Sequence, residues 1–284
     1  MKVFLAGIVS RPWLMDDYMK LFLASPNTGS INKHIKNMDI YLTTPYTYPS
    51  ILGRYIDSNS KICILESFAY VSDWMDPYIK DHWDFLLDSG AFTFMSSSKK
   101  PTNNWDEYVD RYSEYINKNK IEHFFELDID SVIGLKAVER LRIRLEKLTG
   151  KQCIPVWHRA RGKQYWLDMV KEYNYVSIGG IVTKEIQQKD YKVFHYLLKE
   201  AKKQKCNVHG LGFTNLKGMV KYPFYSVDST AWVYGNRGGF LYKFNGKTME
   251  KIIKPEGTRL KSKEVAINNF NQWIKFQKYA KRYL

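Results

Sequence analysis

Short apolar runs rich in β-branched and aromatic residues recur along the chain. Each ends in a polar or glycine residue, and longer stretches with apolar positions three or four apart separate them. Read as strands, the runs fall at residues 3–8, 39–42, 85–88, 123–128, 153–157, 175–178, 207–211 and 225–228, with residues 61–66 an equal rival to 39–42 for the second place. Alternation of this kind predicts an α/β fold with a parallel sheet, and eight strands is the number that a TIM (β/α)8 barrel needs.

The intervening stretches read as helices. Asn104 and Glu107 form a capping-box pattern ahead of the stripe Trp105, Tyr108, Val109, Tyr112 and Ile116. Leu135, Val138, Leu141, Leu145 and Leu148 lead to Gly150, a C-terminal stop. Val193, Phe194, Leu197, Leu198 and Ala201 make another face, and all these stripes read as core. Residues 235–257 are rich in glycine and lysine. Ser262 then opens a last amphipathic helix carrying Val265, Phe270, Trp273 and Ile274. The expected organisation is one domain over residues 1–284, with the barrel over about 1–240 and a C-terminal extension and helix over about 241–284.

Composition narrows the class. A chain of 284 residues that is 44% hydrophobic buries a sizeable core and is neither collagen-like, low-complexity nor a disulfide-dense mini-domain. Forty-four Lys and Arg against 29 Asp and Glu leave a formal charge of +15, which favours a polyanionic partner. Cys63, Cys153 and Cys206 are odd in number and far apart, giving no disulfide framework and no zinc knuckle, so a reducing cytoplasm is expected. The apolar runs are too short to cross a bilayer, and with only Lys2 before the first of them no export signal is expected.

In a TIM barrel the chemistry sits where strands end at their C-terminal side. Asp88, Ser89 and Gly90 follow the third strand: Asp88 either meets a ligand or caps the turn, and Phe92 either stacks on a planar substrate or is buried. A period of two places Glu126, Asp128 and Asp130 on one face of the fourth strand, implying a polar pocket or pairing with Lys and Arg. His158 ends the fifth strand, Gly179 and Gly180 the sixth, His209 the seventh and Asp228 the eighth. The glycine pair serves either a turn or a ligand that meets its N–H groups.

The ordered set 87–92 (Leu-Asp-Ser-Gly-Ala-Phe), 126–128 (Glu-Leu-Asp), 178–180 (Ile-Gly-Gly), 210–212 (Gly-Leu-Gly) and 227–228 (Val-Asp) resembles the guanine transglycosylase superfamily. The likeness is to its compact, often phage-encoded DNA members, relatives of the queuine tRNA-ribosyltransferases, and spans about residues 1–240. The resemblance implies a TIM barrel that replaces guanine in DNA by a 7-deazaguanine, such as a 7-cyano derivative, with free 7-deazaguanine base as second substrate. It further implies Asp228 as nucleophile, Asp88 as general acid/base and Asp128, with Asp130 second, as reader of the guanine edge. Ser89, Phe92, His158, Gly179, Gly180 and His209 fall at base-pocket positions, although the family has a glutamine where His158 stands and an apolar residue where His209 stands.

The residue types fit that chemistry: one carboxylate attacks a sugar carbon while a second moves the proton, as in a retaining glycosidase. A base within a duplex must be flipped out to reach such a pocket. Arg159, Arg161, Lys163, Arg237 and Lys243 are candidate backbone contacts. The tRNA enzymes carry a Cys-rich zinc site, yet no cysteine here follows Cys206, so no zinc subdomain, metal or cofactor is expected and DNA is favoured over tRNA. Expected surroundings are the cytoplasm, that of the host if the chain is phage-encoded, with no membrane contact and the option of a homodimer. The rival readings are a tRNA enzyme, a metal-dependent hydrolase using Asp88, Asp128, Asp130, His158 and His209, and an inactive nucleic-acid binder.

Overall fold

A computed structural model of the chain describes residues 20–24, 62–71, 73–81, 83–90, 104–213, 215–229, 232, 240–253, 257 and 262–284. Eight strands form one parallel sheet: β1 (Lys20–Ala24), β2 (Ile62–Ser67), β3 (Trp83–Asp88), β4 (His123–Phe124), β5 (Val156–Trp157), β6 (Tyr175–Ile178), β7 (Asn207–Gly210) and β8 (Ser226–Ser229). They lie in the order β4-β3-β2-β1-β8-β7-β6-β5. A parallel bridge between Phe125 and Ile154, with Glu126 N donating to Ile154 O at 3.1 Å, links the two outermost strands.

Six of the eight expected strands are found, the fourth and fifth shortened. The strand beside β8 is Lys20–Ala24, and the second is Ile62–Ser67, the rival reading. The expected runs at 3–8 and 39–42 lie outside the described residues. The expected strand over 123–128 stops at Phe124, so the period of two does not continue through Glu126, Asp128 and Asp130, and Asp130 instead opens a helical turn, α3 below.

The helices are α1 (Asp76–Asp81), α2 (Trp105–Asn119), α3 (Asp130–Ile133), α4 (Leu135–Thr149), α5 (Gly162–Glu172), α6 (Val193–Lys203), α7 (Leu216–Lys221) and α8 (Ser262–Tyr283). Asn104 caps α2 by accepting from Glu107 N, and Gly150 ends α4 in the left-handed region. The predicted stripes are core: Tyr108, Val109, Tyr112 and Ile116 of α2, Val138, Leu141 and Leu145 of α4, and Phe194, Leu197, Leu198 and Ala201 of α6 are buried, while Leu148 is exposed. The antiparallel hairpin of β9 (Phe240–Phe244) and β10 (Met249–Ile253) packs with α8. From α8, Gln277 donates to Cys63 O at 2.8 Å and accepts from Cys63 N at 3.2 Å, completing the start of β2.

Alternation along the strands separates two apolar clusters. Ile64, Phe85, Leu87, Val176, Val208 and Val227 pack with the helices. Cys63, Leu65, Leu86, Phe125, Val156 and Tyr175 pack with one another on the opposite face. Asp88 follows Leu86 by two residues and so lies on that second face, at the strand end. Among the described residues, no helix is long and apolar enough to cross a membrane, and all three cysteines are buried thiols outside any disulfide.

Tyr112 of α2 donates its hydroxyl to Leu87 O and Phe125 O, both at 3.1 Å, where the β3 and β4 ladder runs out. Replacing Tyr112 by Phe leaves those buried carbonyls without it. The expected loss is about 1–3 kcal/mol in denaturant unfolding, with the secondary structure retained by circular dichroism.

Candidate functional site

Asp88 is partly buried at the end of β3, where its Oδ2 accepts from Gly90 N at 3.0 Å. The capping reading of Asp88 is realised, and its carboxyl also faces other charges. Burial pushes its carboxyl up to about 6, against the lowering effect of the Gly90 N–H, and the charges of Asp128 and Asp228 push it further the same way. The three carboxylates expected from the strand ends are thus close enough to act on one another. Ser89 beside it is fully buried, and its Oγ has no hydrogen-bond partner.

Asp228 is the last residue but one of β8 and is buried. Its Oδ1 accepts a short hydrogen bond from Gly212 N, and His209 Nε2 lies 3.2 Å from the same oxygen. His209 is fully buried, its ring edge-on to Phe125 with centroids 5.4 Å apart. It serves Asp228 from below.

The expected pairing of the acidic run with cations is realised around one guanidinium. The Arg161 side chain is 1% exposed; its Nη1 lies 2.8 Å from Glu126 Oε1, its Nε 2.9 Å from Asp130 Oδ2 and its Nη2 3.8 Å from Asp128 Oδ1. Arg142 Nη1 reaches the other oxygen of Glu126 at 3.1 Å, and Val156 N donates to Glu126 Oε1 at 2.8 Å. Buried this way, Arg161 is not the backbone contact expected of it. Asp130, spent on Arg161, is a weaker candidate than Asp128 for reading a base.

His158 lies between two carboxylates: Nε2 is 2.8 and 3.0 Å from the Asp128 oxygens and Nδ1 is 3.1 Å from Glu185 Oε2. Burial opposes the charged ring, but the hydrogen bonds and charge of Asp128, with Glu185 and the charge of Asp130 added, raise it to about 9. An imidazolium results at neutral pH. The Gly179-Gly180 pair exists for this clamp. A Cβ on Gly179 would stand 2.7 Å from His158 Cε1, and one on Gly180, whose φ is +78°, would stand 2.7 Å from Glu185 Oε2. The Gly179 N–H already donates to Trp157 O at 2.9 Å, so it is not the ligand-facing donor expected from sequence.

One ligand atom each from Asp128, Asp130 and His158 lie within 4.8 Å of one another, a spacing open to a metal ion. The same groups are already engaged with one another: Arg161 Nε lies 2.9 Å from Asp130 Oδ2, and the two ring nitrogens of His158 face Asp128 and Glu185. Of the remaining candidates, Arg159 is 62% exposed and 3.7 Å from Asp190. Lys163 is exposed over the Tyr196 ring, and Lys243 is exposed on β9. Phe92 and Arg237 lie outside the described residues.

Sequence reading passed over Glu66. It ends β2 on the helix side of the sheet, fully buried, with Oε1 accepting from Ser67 N at 2.9 Å and Oε2 unpartnered. Burial pushes it up to about 8, offset in part by the Ser67 N–H and reinforced by the charge of Asp88. The signal was present: a carboxylate ends the apolar run 62–66 as Asp88 ends 85–88.

No protein-family model and no curated protein matches the chain. Its fold has precedent among solved structures. A candidate fructose-1,6-biphosphate aldolase from Coccidioides immitis superposes with a TM-score of 0.51 at 10% identity, covering 94% of this chain and 90% of that one. The carboxyl transferase domain of Rhizobium etli pyruvate carboxylase gives a TM-score of 0.45 at 14% identity, over 94% of this chain and 48% of that one. The first likeness is one of fold alone: α/β, with the parallel sheet of TIM-barrel-type proteins.

Removing Arg161 leaves buried Glu126 with Arg142 alone and half-buried Asp130 without its guanidinium, so Arg161→Met is expected to cost about 3–5 kcal/mol in chemical denaturation. A cost below 1 kcal/mol would contradict the network. Glu66, raised in the fold above its ordinary 4.5, contributes stability that is full below about pH 4.5 and is lost as pH rises through about 8. In Glu66→Gln this contribution vanishes. Wild-type stability measured against the variant should therefore fall across that window, by at most about 1.4 kcal/mol per pH unit.

Proposed function

We propose that this chain is a glycosyltransferase that exchanges guanine in DNA for a free 7-deazaguanine base, on a closed (β/α)8 barrel with a C-terminal helix and no zinc subdomain. The observation that carries the reading is the pair Asp88 and Asp228. One is a carboxyl raised to about 6, the other a carboxylate with one oxygen already held by Gly212 N and His209. A proton carrier poised near neutrality, together with a second carboxyl fixed through one oxygen, is what retaining transfer at a sugar carbon requires.

Asp228 Oδ2 forms a bond to C1′ as the bond from C1′ to guanine N9 breaks, and Asp88 gives the departing guanine its proton. The incoming base then returns a proton to Asp88 from its own ring nitrogen, bonds to C1′ and releases Asp228. Guanine and sugar-linked 7-deazaguanine balance the exchange. Asp128 accepts from guanine N1–H and the 2-amino group. His158 covers one side of its carboxylate and leaves lone pairs on the other. The charge of +15 and the exposed Arg159 and Lys163 support a polyanionic substrate.

The spacing of Asp128, Asp130 and His158 favours a metal-dependent hydrolase as the second reading. Activity that requires stoichiometric metal in chelator-free protein would select it.

The test is incubation of the protein with labelled guanine and separate DNA and tRNA pools. Label should enter DNA with the wild-type chain and should fall at least about 10³-fold with Asp228→Asn, while binding to DNA is kept, since a triad-type nucleophile carries losses of that order. Label in tRNA alone would reassign the substrate, and undiminished exchange by Asp228→Asn would refute the nucleophile.

A further inference from the structure

Asp228 has a row of buried groups behind it that the exchange chemistry does not by itself call for. His209 Nε2 faces Asp228 Oδ1 at 3.2 Å, and His209 Nδ1 faces Ser226 Oγ at 2.6 Å. Ser226 Oγ in turn faces the Tyr175 hydroxyl at 2.5 Å. His209 and Ser226 are fully buried and Tyr175 is 9% exposed. The three stand on the adjacent strands β6, β7 and β8, with His209 and Ser226 register partners, so the sheet itself sets their spacing.

Donor and acceptor counting gives the row one self-consistent sense when Asp228 is the attacking carboxylate. A carboxylate only accepts, so His209 carries a proton on Nε2 toward it, and in this wiring that is the only proton of the ring. Nδ1 is then a lone pair, and Ser226 must donate to it. With its only proton committed there, Ser226 accepts from Tyr175. A carboxylate at one end thus selects one tautomer of the ring, three residues share one hydrogen-bond sense, and no member is left competing for a donor.

Oδ1 of Asp228 receives both fixed donors, His209 Nε2 and Gly212 N. We propose that Tyr175, Ser226 and His209 are positioning residues that lock Asp228 with Oδ1 held and Oδ2 presented as the attacking atom. The inference rests on Asp228 being the nucleophile. It differs from the bland alternative, a histidine merely satisfied in the core, in predicting that the donor at Nε2 matters to rate as well as to stability. When Oδ2 bonds to the sugar the charge leaves Asp228 and Oδ1 becomes an ester carbonyl that still accepts, so the row holds its geometry through the step. What it supplies is alignment, and small misalignment of a reacting group costs up to about 10²-fold in rate.

The experiment has an arm that needs no turnover. In the full-length chain labelled with 15N-histidine, the His209 ring is expected as the neutral tautomer protonated at Nε2, and Ser226→Ala is expected to shift population toward the Nδ1-protonated form. A wild-type ring protonated at Nδ1 overturns the proposal. In the kinetic arm, His209→Leu removes the donor and is expected to lower kcat about 10²-fold with KM for the free base unchanged. His209→Gln, whose amide can reach the Nε2 position, is expected to recover all but about tenfold. Equal kcat for the two variants, both shown folded by their melting curves, overturns it. A wild-type chain that exchanges no base overturns the nucleophile and this role with it, while the tautomer measurement reports separately whether the row is wired as described.

Discussion

Negative charge gathers where the strands of this sheet end, and the rest of the site is organised by the need to offset it. Unpaired buried carboxylates are costly, and the fold meets that cost with specific cations and N–H donors. Arg161 and Arg142 take Glu126, Arg161 also takes Asp130, and a protonated His158 takes Asp128. Gly212 N and His209 take one oxygen of Asp228. Asp88, held by the backbone N–H groups of Gly90 and Ser89 and facing two other carboxylates, takes up a proton more readily than an ordinary aspartate. The same constraint therefore sorts the acidic residues: Glu126 and Asp130 are spent on structure, and Asp88, Asp128 and Asp228 keep capacity for a ligand.

Much of this was legible in the sequence, and what was not has identifiable causes. The ends of β3, β6, β7 and β8 stand out because compact apolar runs stop at them, and the stripes of α2 and α6 because their period is that of a helix. β1 has no β-branched residue in Lys-Leu-Phe-Leu-Ala, so nothing local marked it as a strand, and its place came from pairing with β2 and β8. Glu126, Asp128 and Asp130 do group together, but around a cation from after β5 and not by strand alternation. The spacing gave the right association for the wrong reason.

Arg161 and the glycine pair show where local reading stops. Nothing near Arg161 in the sequence separates it from exposed Arg159; only the arrival of Glu126 and Asp130 from another loop buries it. The paired glycines read in the sequence as a turn or as N–H donors to a ligand, and what packs against them is His158, from the end of β5, and Glu185. Glu66 closes the run 61–66, the equal rival for the second strand, and carries the same strand-end carboxylate signal as Asp88.

The fold by itself decides little about chemistry, because α/β folds of the TIM-barrel type host many unrelated reactions. The account stands on two carboxyl groups made different by their surroundings, one raised to about 6 and one fixed through a single oxygen by Gly212 N and His209. Its most direct test is to quench the protein during reaction with a guanine-containing oligonucleotide and map the product by peptide mass spectrometry. The account predicts a sugar-linked adduct on the peptide containing Asp228, absent in Asp228→Asn. An adduct on any other residue, or base exchange with no adduct at all, would contradict it.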